Sequence, residues 1–379
     1  MTTNIIIAGD FCPKDRVAHL VECGSYEAIF SEVKPVVEKA DYAIVNLEAP
    51  IVHGMGTPIR KSGPNLKCGV RTIEAILYAG FKGVTLANNH FRDYGDEGAR
   101  STIEELEKAN IDYVGAGQGT LGACRTLYKE IGGCKFAFIN CCEHEFSVTE
   151  ADGQTGCNGL DVISQYHAIH EARKQAQRVV VIVHGGIEMY QLPIPRMVRT
   201  YRFFIEAGAD AVVNHHQHCF SGYEYYMNKP VIYGLGNFCF DWERKRNPIW
   251  NEGYMASLVF DDNGNISFEP IPYRQCDERP AVLPSAIDKE QFRKRLQELC
   301  SLIADEEKLQ AEYDRLLDRT WPNYDMMTPW HNRYLRYLYK HGLLPSLMPR
   351  KKLLSILNAV RCESHHERLT DALQRKINN

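Results

Sequence analysis

Five short apolar runs set the frame of this chain: Ile5-Ile6-Ile7-Ala8, Tyr42-Ala43-Ile44-Val45, Val84-Thr85-Leu86-Ala87, residues 179–183 and Ala211-Val212-Val213. Each is brief, and most are rich in β-branched residues, which predicts buried strands. Between and around them, apolar residues recur at helical spacing over 27–40, 72–80, 96–109, 164–177 and 196–207. Gly80, Gly208 and the Ala109-Asn110 pair mark helix stops. Further strands are expected at 112–114, 126–131, 135–141, 230–234, 254–261 and 265–270, the last two joined by the turn Asp262-Asn263-Gly264. Strand and helix in alternation predict a sheet with helices on its faces, and the late hairpin points to a mixed sheet or two stacked sheets.

The pattern changes near residue 285. A charged helical stretch is expected over 288–318, broken by Trp321-Pro322 and Pro329, with further helices at 330–341, 349–360 and 363–377. This divides the chain into an α/β domain over 1–280 and a helical extension over 281–379.

Composition narrows the function classes. The chain has 379 residues, 44% hydrophobic and 24% charged, with a formal net charge of −4. That balance offers no cationic footprint for nucleic acid. No apolar run reaches the roughly 18 residues of a membrane span. The first strand begins at Asn4, which leaves no room for a secretory leader. Thirteen cysteines without a CxxC spacing read as reduced thiols, so a cytoplasmic location is expected.

Chemistry gathers just after the strands. Gly9-Asp10 follows the first run, Asn46-Leu47-Glu48 the second, Asn88-Asn89-His90 with Asp93 the third, His184-Gly185-Gly186 with Glu188 the fourth, and His215-His216-Gln217-His218 the fifth. Alone, Asp10 reads better as a helix cap or a turn aspartate than as a metal carboxylate. Together, these groups bring carboxylate, amide and imidazole donors to one edge of the sheet, where ligands bind in open α/β folds. Such donors suit divalent transition metals and metal-assisted hydrolysis. In extended backbone His216 and His218 project to one side, with His215 and Gln217 on the other. Two weaker features remain. The turn-rich loop Arg60-Lys61-Ser62-Gly63-Pro64-Asn65 is either a contact for an anionic substrate or a solvated loop, and Tyr233-Gly234-Leu235-Gly236-Asn237-Phe238 is either a lining of backbone donors or a turn. The cluster Cys362 to Glu367 reads as a solvated helix face.

Taken in order over roughly residues 4 to 260, these motifs resemble the CapA-like family, whose members are capsule or poly-γ-glutamate biosynthesis proteins related to calcineurin-like metallophosphoesterases. The resemblance extends through Ala207-Gly208-Ala209-Asp210. It implies a four-layer α/β/β/α metallophosphoesterase-like sandwich, with the C-terminal helices as an extension. It implies metal ligands at Asp10, Glu48, Asn89, His184, His216 and His218, with Glu48 in a bridging position. It places His90 beside the scissile group. The chain departs from the pattern at Cys12, where metallophosphoesterases usually carry histidine, at Gly185, where the family tends to have tryptophan, and at Asn214 and Gln217, in a stretch that is more often Gly-His-His-Pro-His.

The reading that follows is a metal-dependent hydrolase of a phosphoester or related anionic substrate, linked to capsule or surface-polymer biosynthesis. It would use one or two divalent ions (manganese, iron or zinc). His90 would protonate the leaving group and Glu188 would orient His184. Two other readings stand beside it. One is a non-catalytic accessory protein that binds an anionic polymer. The other is hydrolysis or transfer at an amide of γ-linked glutamate.

Overall fold

All five apolar runs lie in or across strands, and they fall into two sheets. The computed structural model describes residues 2–61, 63–148, 152–325, 332–349 and 353. In chain order its strands are β1 (Thr2–Cys12), β2 (Tyr42–Leu47), β3 (Gly83–Thr85), β4 (Asp112–Val114), β5 (Ala116–Gln118), β6 (Leu127–Ile131), β7 (Cys134–Cys142) and β8 (Thr155–Cys157). There follow β9 (Arg178–His184), β10 (Ala211–His215), β11 (Tyr223–Tyr226), β12 (Lys229–Ile232), β13 (Asn237–Phe240), β14 (Glu252–Asp261), β15 (Ile266–Gln275) and β16 (Val282–Leu283).

The larger sheet runs β16-β15-β14-β1-β2-β3-β4, with β13 also paired to β1. The second runs β11-β12-β10-β9-β7-β6, and β5 pairs separately with β8. Parallel strands fill the middle of both large sheets, while β14, β15 and β16 on one and β11 and β6 on the other are antiparallel.

Alternation along β1 explains the layers. Ile5 and Ile7 face the second sheet, in one core with Phe136, Phe138, Val180 and Ile182. Tyr42 stacks on Phe138 at 5.6 Å across the sheets, and Phe136 meets Phe260 edge-on at 5.0 Å. Ile6 and Ala8 point the other way, onto Val17, Val21, Phe30, Val37, Ile76 and Leu106 of the helices. Helices Val162–Gln175 and Pro195–Glu206 cover the outer face of the second sheet through Ile169, Met197, Tyr201 and Phe204. The result is the expected α/β/β/α sandwich. Each fully buried aliphatic or Phe side chain contributes about 1.5–3 kcal/mol, so a one-residue slip of β1 would be prohibitive.

Some element boundaries differ from the sequence expectation. The helix expected over 27–40 is two short ones, Tyr26–Phe30 and Lys34–Val37, because Pro35 opens the second. A helix at Asp15–Glu22, just after Pro13, was not expected. The stretch 288–318 divides into Lys289–Ile303 and Glu306–Asp325, and the second helix runs through Trp321-Pro322.

The chain forms two compact units, one through Gln310 and one from Ala311. The first takes in helix Lys289–Ile303, whose Phe292 packs on Phe220 at 5.0 Å and on Tyr254 at 5.9 Å. In the second, Asn332 caps helix Arg333–Lys340 by accepting from the Tyr334 N–H at 2.8 Å. The helices expected at 349–360 and 363–377, and the cluster from Cys362 to Glu367, lie outside the described residues. Among those described, no helix is long and apolar enough to cross a membrane.

Gly9 marks where β1 meets the turn before β13. A Cβ there would lie 1.9 Å from the Gly236 carbonyl oxygen, which also accepts the Asp10 N–H at 3.3 Å. Gly9→Ala should therefore cost about 1–3 kcal/mol of stability by overpacking. Urea unfolding measures this, and an unchanged midpoint would contradict the contact.

Candidate metal centre

The carboxyl ends of strands from both sheets meet over one small volume. Asp10 lies near the end of β1, Glu48 just past β2, Asn89 past β3 and His184 at the end of β9, while the histidine run leaves β10. All of these side chains are buried. Three overlapping groups of ligand atoms result, Glu48 with His184 and His216, Asp10 with Glu48 and His218, and Asp10 with His184 and His215; within each group the atoms lie within 4.8 Å of one another. Glu48 is common to the first two.

Distances within the first group are short. His184 Nε2 faces Asn89 Oδ1 at 3.0 Å, His216 Nδ1 at 3.1 Å and Glu48 Oε1 at 3.7 Å. In the second, His218 Nδ1 is 3.4 Å from Asp10 Oδ2 and its Nε2 is 3.7 Å from Glu48 Oε1. Donors about 3 to 4 Å apart are what bonds of about 2.0–2.3 Å to a shared cation require.

Neighbours orient these ligands. His218 Nδ1–H donates to Asn237 Oδ1 at 2.9 Å, which leaves Nε2 bare toward Glu48. Asn237 is itself fixed by donating to the carbonyls of His218 and Trp250. Asn46 donates to Asp10 Oδ1 at 2.7 Å, and Asn88 donates to Asn46 Oδ1 at 3.2 Å.

The histidine run is not extended. His216 and His218 have φ of 88° and 56°, a left-handed conformation rarely held by residues other than glycine. Because the chain coils there, His215 also turns inward and donates Nε2–H to the Ala8 carbonyl at 3.0 Å, against the expected division of the run into two faces.

Electrostatics make the centre fit for a cation. Both Glu48 carboxylate oxygens are buried without a hydrogen-bond partner. Burial, then the charges of Asp10 and Glu188, push its carboxyl well above the ordinary 4.5. An unpaired buried carboxylate costs several kcal/mol, and a divalent ion at this point removes that cost. Asp10 behaves oppositely: burial opposes its charge, but the His218 hydrogen bond and the nearby His184 and His215 hold it well below its usual range. Burial, reinforced by His216, lowers His184, and burial with His218 lowers His216 to about 4. Imidazoles kept neutral in this way are ready ligands.

Residues 4–242 match the bacterial capsule synthesis protein family PGA_cap. The chain belongs to that family. It is 28% identical over 299 residues to the capsule biosynthesis protein CapA of Bacillus anthracis, covering 76% of this chain and 72% of that one. It is 29% identical over 277 residues to the PGA biosynthesis protein CapA of Bacillus subtilis (strain 168), covering 72% of each.

The residues singled out in the sequence at Cys12, Gly185, Asn214 and Gln217 have physical roles. A Cβ on Gly185 would lie 2.8 Å from Glu143 Cγ, so glycine here admits Glu143, which pairs with Arg196. Asn214 donates to the carbonyls of Gly185, His215 and Tyr233 and accepts from Tyr201 Oη, tying the histidine run to its surroundings. Gln217 points away from the ligands and donates to the carbonyls of Tyr190 and Leu192. Cys12 is buried, and burial together with Glu48 keeps its thiol protonated.

His90 lies beside the centre in a second array. Its Nδ1 is 2.6 Å from Asp93 Oδ2 and 3.2 Å from Lys61 Nζ, and Lys61 also pairs with Asp93. Burial lowers the imidazole's pKa, opposed by Asp93. Glu188 does not meet His184. Its carboxylate, 45% exposed, pairs with Lys245 at 3.3 Å, because the turn Gly185-Gly186 carries it out to the rim. Glu145 was missed by sequence reasoning. It stands 3.8 Å from His216 Nε2 on the loop after β7, and no motif flags it.

Glu48 makes the stability of metal-free protein depend on pH. Its raised folded-state pKa means that the folded chain holds a proton that the unfolded chain releases above 4.5. The stabilisation is therefore complete below that value and lost as pH rises toward the folded pKa. In chelator, Glu48→Gln should flatten this decline and raise the thermal midpoint at neutral pH. Calorimetry across pH tests it, and a variant as steep as the wild type would refute the assignment.

Proposed function

We propose that this PGA_cap protein is a metal-dependent hydrolase acting on a phosphoester or related anionic group, in the making or remodelling of a surface polymer. The observation that carries the reading is the buried, unpartnered Glu48 carboxylate at the junction of two ligand groups. Asp10, Glu48, Asn89, His184, His216 and His218 would hold one or two divalent ions, of manganese, iron or zinc. When bound, such an ion supplies Lewis acidity that activates water and offsets negative charge developing on the substrate.

The chain's own groups do the rest. With Nδ1–H of His90 held by Asp93, which favours the imidazolium, the protonated ring would give its Nε2 proton to the leaving group and be left as the neutral Nδ1–H form. Lys61, with a side chain only 3% exposed, pairs with Asp93, and Asp93 in turn orients the His90 ring through Nδ1. Buried Asn46, Asn88 and Asn237 keep the ligands aligned before substrate arrives. The names of the Bacillus relatives support a capsule or poly-γ-glutamate setting.

One observation favours a second reading, in which the cleft binds an anionic polymer without cleaving it. With the neutral thiol of Cys12 at a position where related enzymes carry histidine, the Asp10–Glu48–His218 group has fewer strong donors.

Two variants separate ligand loss from loss of proton transfer. His216→Ala should abolish both metal retention, read by elemental analysis, and hydrolysis of generic phosphodiesters with added manganese. His90→Asn should retain metal and lose about 10²–10⁴-fold in kcat. Full activity of His216→Ala in metal-stripped buffer would refute the hydrolase reading, and metal retention without any turnover in the wild type would favour the binding reading.

A further inference from the structure

His216 and Asn89 each turn one polar atom into the metal centre and another away from it. His216 Nδ1 and Asn89 Oδ1 face the same nitrogen, His184 Nε2, at 3.1 Å and 3.0 Å. Those are the atoms that an ion shared with His184 and Glu48 would meet. The other ring nitrogen of His216 and the amide nitrogen of Asn89 remain to be held. A ligating imidazole keeps its orientation when its second nitrogen faces a carboxylate. Glu145 supplies one. Its Oε1 lies 3.8 Å from His216 Nε2, and its carboxylate is hydrogen-bonded by the Asn89 side chain. At 3.8 Å the attraction to the ring is electrostatic rather than a direct hydrogen bond, and it favours the proton on Nε2, which leaves Nδ1 bare toward the centre.

The backbone puts Glu145 there. Glu143 N–H donates to the His184 carbonyl at 3.0 Å, and Glu145 N–H donates to the Glu143 carbonyl at 2.9 Å, so the acidic loop hangs from a ligand strand. Gly185 makes the room, since a Cβ at that position would lie 2.8 Å from Glu143 Cγ, and Arg196 holds Glu143 from the other side.

We infer that Glu145 is a positioning residue for the metal. Through His216 it sets the tautomer, and through Asn89 it selects the amide orientation that presents oxygen rather than nitrogen to the ion. It does for those two ligands what the sequence reading assigns to Glu188 beside His184. The inference rests on the ligand set proposed above and adds to it a residue that no motif marks.

The test is manganese binding by the full chain, with the free ion followed by electron paramagnetic resonance. Glu145→Ala should weaken binding about 10–100-fold. Glu145→Gln keeps an acceptor oxygen without the charge and should fall between Glu145→Ala and the wild type. Glu188→Gln removes an equal charge that also bears on Glu48, and should weaken binding less than Glu145→Gln does. In cobalt-loaded protein, Glu145→Ala should shift the visible absorption bands, which report donor geometry and not the stability of the fold. Unchanged affinity or an unchanged cobalt spectrum in Glu145→Ala, or a loss in Glu188→Gln as large as in Glu145→Gln, would overturn the inference and leave the metal site standing. A wild-type chain that binds neither ion would overturn the site itself, and the inference with it.

Discussion

A carboxylate that has no partner organises this protein. Glu48 is fully buried, both its oxygens lack hydrogen-bond donors, and Asp10 stands close enough to raise its pKa further. Folding into such an arrangement is unfavourable in itself. It persists because the strands that hold Asp10, Glu48, His184 and the histidine run are fixed by large apolar cores between the two sheets and on their outer faces. The stability of the sandwich thus sustains a locally unstable charge cluster, and the shortfall there is one that a bound cation would relieve.

The surroundings of the cluster are built to keep it from relaxing. Asn46, Asn88, Asn214 and Asn237 spend their amides on ligands, on each other and on backbone carbonyls. His216 and His218 sit in left-handed backbone that their own side chains disfavour. Amides serve this purpose better than charged groups would, since they orient a ligand without adding to the charge already buried.

Much of this was legible in the sequence. The apolar runs located β1, β2, β3, β9 and β10, and the polar residues after them were the ones brought together, because a parallel sheet delivers its strand ends to one edge. Other features depended on information that does not lie in local pattern. His215 could not be oriented from an extended-strand assumption, since that assumption fails once φ turns positive at His216. Glu188 follows His184 closely in sequence, yet two glycines carry it to the rim and to Lys245. Lys61 and Glu145 reach the site from loops with no periodic signal, and only the fold sets Lys61 against Asp93. Pro322 shows the same limit in the tail, where a residue expected to break the helix lies within it.

The first described strand in chain order is also the innermost of the larger sheet. Ile5 pairs with Tyr42 on one side and with Leu258 on the other, and Asp10 pairs with Asn237. During synthesis, one edge of β1 therefore stays open until the chain has grown past residue 258. Contacts of such long sequence separation form slowly, and an exposed apolar strand is prone to pair with the wrong chain. Until β14 arrives, that edge of β1 offers its backbone groups to any strand that meets it.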